Sequence, residues 1–134
     1  MASHREIAYG LFRACVGVNI LIHGLVRMPQ LEQFAANVGQ RLAQSPLPNQ
    51  AVHVFALVLP ALEAMVGALV TLGLFTKHAL VVGTLLMLCL TVGMASAQNW
   101  SVVGVQLVYE IAYFLLLFHL PENRLSVDAL RSRP

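Results

Sequence analysis

From His78 to Tyr109 the chain carries no Asp, Glu, Lys or Arg. A helix that crosses a bilayer needs about 20 mostly apolar residues, so this run has room for more than one, and the polar pair Gln98-Asn99 divides it. Reading outward from that division gives four candidate spans: Ile7–Met28, Val52–Phe75, His78–Ala97 and Val102–Leu120. The rest of the chain agrees. Only 10% of its residues are charged and 58% are hydrophobic, against roughly 25% charged in soluble domains. That leaves too little charge to wet the surface of a water-facing globule. The expected fold is a single all-α membrane domain over residues 1–134.

The connections set the topology. Only Thr76-Lys77 separates spans two and three, and only Gln98 to Ser101 separates spans three and four. Links this short force antiparallel neighbours, which predicts an up-down four-helix bundle. The first connection, Pro29 to Ala51, is longer. Within it LEQFAANVGQRLA (Leu31–Ala43) places Leu31, Phe34, Ala35, Val38 and Leu42 on one helical face. This predicts a short amphipathic helix, closed by Pro46 and Pro48, which caps the bundle or lies on the membrane surface; the surface position is the simpler expectation. Ile7–Met28 is too long for the apolar core of a signal peptide, holds Arg13 in its middle and lacks a small-residue cleavage site, so it is expected to be retained.

An even number of spans puts both termini on one side, with Arg5, Lys77, Arg124, Arg131 and Arg133; Arg27 and Arg41 fall on the other. Five against two favours cytoplasmic termini in a bacterial-type inner (plasma) membrane. The basic residues form no stripe with interleaved aromatics, so nucleic acid is not an expected partner. Cys15 and Cys89 lie far apart in apolar runs, with no CxxC and no Cys/His cluster, which argues against a metal site or a dithiol centre.

Charges inside the bilayer point to a site. Each costs about 2.5–3.5 kcal/mol on insertion scales and needs a partner or water. Glu63 in span two and Glu110 in span four fall near mid-span, and Arg13 in span one lies roughly 6 Å to the cytoplasmic side of its span's centre by helix rise, a distance its side chain covers. Arg13 is therefore expected to pair with Glu63 or Glu110, the remaining acid being kept protonated by burial. An ion pair that only fixes helix register is the competing explanation. Small residues support the meeting: Gly17 and Gly24 line the Arg13 face, and Ala56, Pro60 and Gly67 share the Glu63 face. Gln106 and Glu110 stack one turn apart on span four beside Tyr109 and Tyr113. Asn19, His23 and Arg27 form an i, i+4, i+8 row rising toward the other surface. His23 and His53 near that surface are too shallow for haem, which is not expected. The candidates for ligand binding or proton relay are Arg13, His23, Glu63, Gln106, Glu110 and Tyr113. A quinone head needs hydrogen-bonding groups, apolar walls and a proton source, and this set offers all three.

Several of these residues resemble the DoxX/DoxD family of small four-helix membrane proteins. The similar elements are Arg13 and Gly17 with His23-Gly24-Leu25-Val26-Arg27, then Glu63-Ala64-Met65-Val66-Gly67. Leu72-Gly73-Leu74-Phe75-Thr76-Lys77 and Arg124-Leu125-Ser126-Val127-Asp128-Ala129-Leu130 complete the likeness. The resemblance implies membrane-associated redox complexes and thiosulfate:quinone oxidoreduction. Combined with the residues, it gives an integral subunit or accessory protein of a quinone-linked redox complex, not catalytic alone, with lipid around it and a redox subunit or another copy as partner. The alternatives are a structural bundle without a ligand and a small proton-coupled transporter. Ser126 is expected to cap a short C-terminal helix and Asp128 to favour its first turn.

Overall fold

The computed structural model describes residues 2–132; Arg133, counted above, and Pro134 lie outside the described residues. The described residues are helical with no strands. Four helices are long and apolar enough to span a membrane: α1 (His4–Arg27), α3 (Asn49–Leu72), α4 (Thr76–Ser96) and α5 (Trp100–Phe118). Helix α2 (Leu31–Arg41) follows α1 after a single 3₁₀ turn at Met28–Gln30, and a short α6 (Val127–Arg131) closes the chain. The up-down order is as expected. Helix α1 packs chiefly on α3, α4 on α5, and α3 on α4, while α1 and α5 meet at few places.

Glycines set the closest approach. A methyl on Gly17 would overlap the backbone of Thr71, one on Gly67 the backbone of Leu21, and one on Gly24 the Pro60 carbonyl and Ala64. Small residues let two membrane helices touch backbone to backbone, where dispersion contacts replace the absent hydrophobic drive. The pairings also give the register. Helix α1 lies against the second half of α3, Gly24 stands level with Glu63, and the break at Met28–Gln30 comes about one turn beyond it.

Helix α2 then takes over along the first half of α3. Its Ala35, Val38 and Leu42 are buried with Val52 and Ala56 of α3, Met94 of α4 and Val103 of α5. The expectation of a helix lying on the membrane surface is therefore corrected: its apolar face is spent on the bundle itself and closes that end.

At the opposite end, α3 stops at Leu72 because Gly73 adopts a left-handed conformation (φ 66°) that glycine tolerates at no steric cost. The chain thus turns at Gly73–Phe75, three residues before the Thr76-Lys77 link expected from polarity. Thr76 is instead the first residue of α4. The orphan N–H groups of that helix start are met from the C-terminal segment: the Asp128 carboxylate accepts from the Phe75 and Thr76 N–H groups and from the Thr76 hydroxyl at 2.7–2.8 Å. The Asp128 N–H returns a bond to the Gly73 carbonyl, and Asn123 donates to the Thr76 hydroxyl. Ser126 caps α6 through the Ala129 N–H, as expected. Partial burial pushes the Asp128 carboxyl up, but the Thr76 and Phe75 hydrogen bonds and nearby Arg131 outweigh it and hold the group below its ordinary range.

Candidate functional site

Arg13 belongs to this end joint. Its Nη1 donates to the Val70 carbonyl and, at 2.7 Å, to that of Thr71, and its Nη2 donates to the Leu125 carbonyl at 2.8 Å. Val70 and Thr71 stand at the C-terminus of α3, the negative end of its dipole, where a guanidinium is well placed. The expected pairing with Glu63 or Glu110 does not form. Because α1 is displaced along α3, Arg13 lies level with the end of α3 rather than its middle.

The arginine that reaches Glu63 is Arg27. Its Nη1 lies 2.7 Å from Oε1 and also meets Oε2. Glu63 is 3% exposed and Arg27 29%, so the acid is deep and its partner reaches in from the break between α1 and α2. The guanidinium also sits 4.7 Å above the Phe34 ring of α2, a cation–π contact that ties the two half-helices together. The sequence row Asn19–His23–Arg27 carried the signal, since it places Arg27 on the face that Gly24 brings against α3.

Around this pair lies a cavity of about 590 Å³, lined by residues from α1 to α5. Ile20, Phe55, Leu59, Met87, Leu90 and Val105 form apolar walls; His23, Glu63, Gln106 and Tyr109 supply polar groups, with Arg27, Asn37 and Arg41 beside α2. Irregular backbone at membrane depth is tolerated where it lines a cavity, and broken helices mark many membrane binding sites. Of the six expected site residues, the structure brings His23, Glu63 and Gln106 together at this cavity. The other three lie elsewhere. Glu110 turns toward α4 and accepts from the Thr91 hydroxyl at 2.8 Å. Tyr113 is buried against Gly83, where a side chain on the glycine would strike its ring. Tyr109, adjacent in sequence to Glu110, does line the cavity; its hydroxyl donates to Asn19 at 3.0 Å, and its ring lies 6.2 Å from that of His23. Among the described residues no three His, Cys, Asp or Glu side chains are grouped to hold a metal ion.

Comparison with protein families places residues 5–104, from the first turns of α1 to the start of α5, in the family described as methylamine utilisation protein MauE. The chain belongs to the MauE family. The resemblance to DoxX/DoxD is thereby corrected, since the matching family model is MauE. The two C-terminal elements quoted for that resemblance are accounted for by the joint at the end of the bundle: Gly73 to Thr76 make the turn, and Ser126 with Asp128 cap it. The matched MauE stretch includes the helix break, Arg27, Phe34 and Glu63. Neither curated proteins nor solved structures gave a match.

Proposed function

We propose that this MauE-family protein is a multi-pass membrane accessory of a redox system, and that its cavity holds the head of a quinone-type carrier. The observation that carries this reading is the cavity at the α1–α2 break: apolar walls around an imidazole, an amide, a phenol and an acid buried with its arginine. Growth on methylamine, the use in the family's description, oxidises the substrate, and the electrons must leave on a carrier; a quinone dissolved in the bilayer is one class of carrier that suits an apolar cavity. No cofactor motif is present in the sequence, so electron transfer itself falls to a partner redox subunit. The chain sits in the plasma membrane with both ends cytoplasmic. The charge asymmetry supports this, and the asymmetry sharpens once Arg27 is seen to be paired at the level of Glu63 rather than free at the far surface.

The test is purification in mild detergent with quantification of co-purifying quinone in wild type, Glu63→Gln and His23→Ala at equal protein levels. Stoichiometric quinone in the wild type and its loss in both variants is the expected result. A wild type that carries only phospholipid, or variants that retain their quinone, would sink the reading.

A further inference from the structure

The cavity has to be reached from somewhere, and its surroundings differ on each side. Toward the surface where α2 lies, Ala35 and Ala56 are essentially inaccessible and pack in one cluster with Val38, Leu42, Val52, Met94 and Val103, while exposed Asn37, Arg41, Leu47 and Ala51 also line the cavity and leave a polar approach on that side, from which a lipid-dissolved molecule does not come. Between α1 and α3 the backbones touch, so nothing passes there. Between α1 and α5 the contact is sparse. Residues on both sides of that seam line the cavity, His23 from α1 and Val105 and Tyr109 from α5, and Val105 is more than half exposed. What crosses the seam beside them is one neutral hydrogen bond, from the Tyr109 hydroxyl to Asn19, with the tilted His23–Tyr109 ring contact next to it.

Depth decides what lies outside. Tyr109 stands at the midpoint of α5 (Trp100–Phe118), so the seam opens onto acyl chains and not onto water. Asn19 is exposed at that same level. A side-chain amide facing hydrocarbon is costly unless something polar uses it. Asn19 and His23, one turn apart on α1, make a short polar track that leads from the lipid side of the seam to the cavity.

We infer that the cavity is loaded sideways from the bilayer, through a slot between α1 and α5 that Tyr109 bars, and that its ligand is a lipid-dissolved molecule with a small hydrogen-bonding head. The inference rests on the cavity being a ligand site, as proposed above, and adds the route and the partition behaviour of the ligand. Opening the slot requires the Tyr109–Asn19 hydrogen bond to break and the Tyr109 ring to turn, while the buried hydrogen bond from the Tyr9 hydroxyl to the Leu116 carbonyl, nearer the α6 end of the same seam, stays in place with α1 on α3 and α4 on α5.

Tethering separates this route from entry past α2. In a background with Cys15→Ala and Cys89→Ala, one variant carries Asn19→Cys with Tyr109→Cys, across the slot. A second carries Glu32→Cys with His53→Cys, whose native side chains approach to 3.8 Å between α2 and α3. Each pair is joined by a short cleavable cross-linker, and exchange of a short-chain ubiquinone analogue between phosphatidylcholine vesicles and the reconstituted protein is followed. The slot tether should slow exchange more than about tenfold, an added barrier of about 1.4 kcal/mol or greater, with recovery on cleavage. The α2–α3 tether should leave it unchanged. Separately, Tyr109→Phe should speed exchange about fivefold, the effect of losing one neutral hydrogen bond. Exchange that ignores the slot tether, or that stops with the α2–α3 tether, overturns the lateral route while leaving quinone binding intact. Absence of analogue binding in the untethered protein removes the binding reading itself, and the slot with it.

Discussion

Arg13 and Arg27 sit on the same helix, and each settles a different kind of unpaired charge. Arg27 neutralises a buried carboxylate, so its removal leaves Glu63 without a counter-ion in a poorly solvated place. Arg27→Ala should cost about 1–3 kcal/mol, the penalty of leaving a buried partner unmet, read as a shift in thermal unfolding in detergent, and Glu63→Gln should recover a large part of it. A double-mutant cycle on the two positions should therefore be strongly non-additive, whereas Arg13 with Glu63 should be additive because they share no partner. Strong coupling between Arg13 and Glu63 would contradict the structure. Asp128 is a second isolated case. Its carboxyl is held below its ordinary value, so the stability it contributes is fully present above the unfolded carboxylate pKa of about 3.9 and is lost as pH falls through the lower folded value. Asp128→Ala should cost about 1–2 kcal/mol near neutral pH, as loss of a helix cap does, and the difference from wild type should vanish on strong acidification. A difference that grows in acid would mean that the carboxyl is not held in its charged form.

At the scale of elements, the seam between α1 and α3 depends on what is missing from its side chains. Gly67→Ala places a methyl into the Leu21 backbone and should push the two helices apart, whereas Gly39→Ala on α2 meets no atom within 4 Å. The second change removes backbone freedom from the unfolded chain at no steric cost and should stabilise by about 0.4–1 kcal/mol. Opposite signs in one unfolding assay are expected; equal destabilisation would mean that α2 does not hold the helix described. This is also where sequence reading reaches its limit. The four spans are legible because an uncharged run of about 20 residues has few other uses, and the glycine stripes on α1 and α3 are legible as packing faces. Their mutual offset is not. It depends on which glycine meets which backbone, a property of the pair and not of either helix. Depth judged from apolar length alone therefore put Arg13 beside Glu63 or Glu110 and left Arg27 near the surface. The burial of α2 is hidden for the same reason: an amphipathic face does not say whether lipid or protein covers it.

For the whole molecule, five of the seven basic residues among those described gather at the end that holds α6, Arg5, Arg13, Lys77, Arg124 and Arg131; Arg27 is paired with Glu63 inside the bundle and Arg41 lies at the other end. Reporter fusions at Ser45, in the α2–α3 connection, and after Ser132 should report opposite sides, with the second inside. An external signal at Ser132 would invert the orientation and put α2 at the cytoplasmic face. His23, Glu63 and Gln106 share one cavity because α1, α3 and α5 converge there, yet Glu110, one turn from Gln106, turns toward α4; one helix face can serve two neighbours, and the sequence shows only the face. The joint between Arg13, the Gly73 turn and Asp128 bears on biogenesis. Helices α3 and α4 leave the ribosome long before Asn123 to Asp128 do, so during synthesis their connecting turn waits with its amide groups unmet and Arg13 without its Leu125 carbonyl. The hairpin can enter the membrane in that state, but a segment made after all four spans is the one that locks the first helix in place. Maturation of this bundle is in that sense a clasp closed only once the spans have been made.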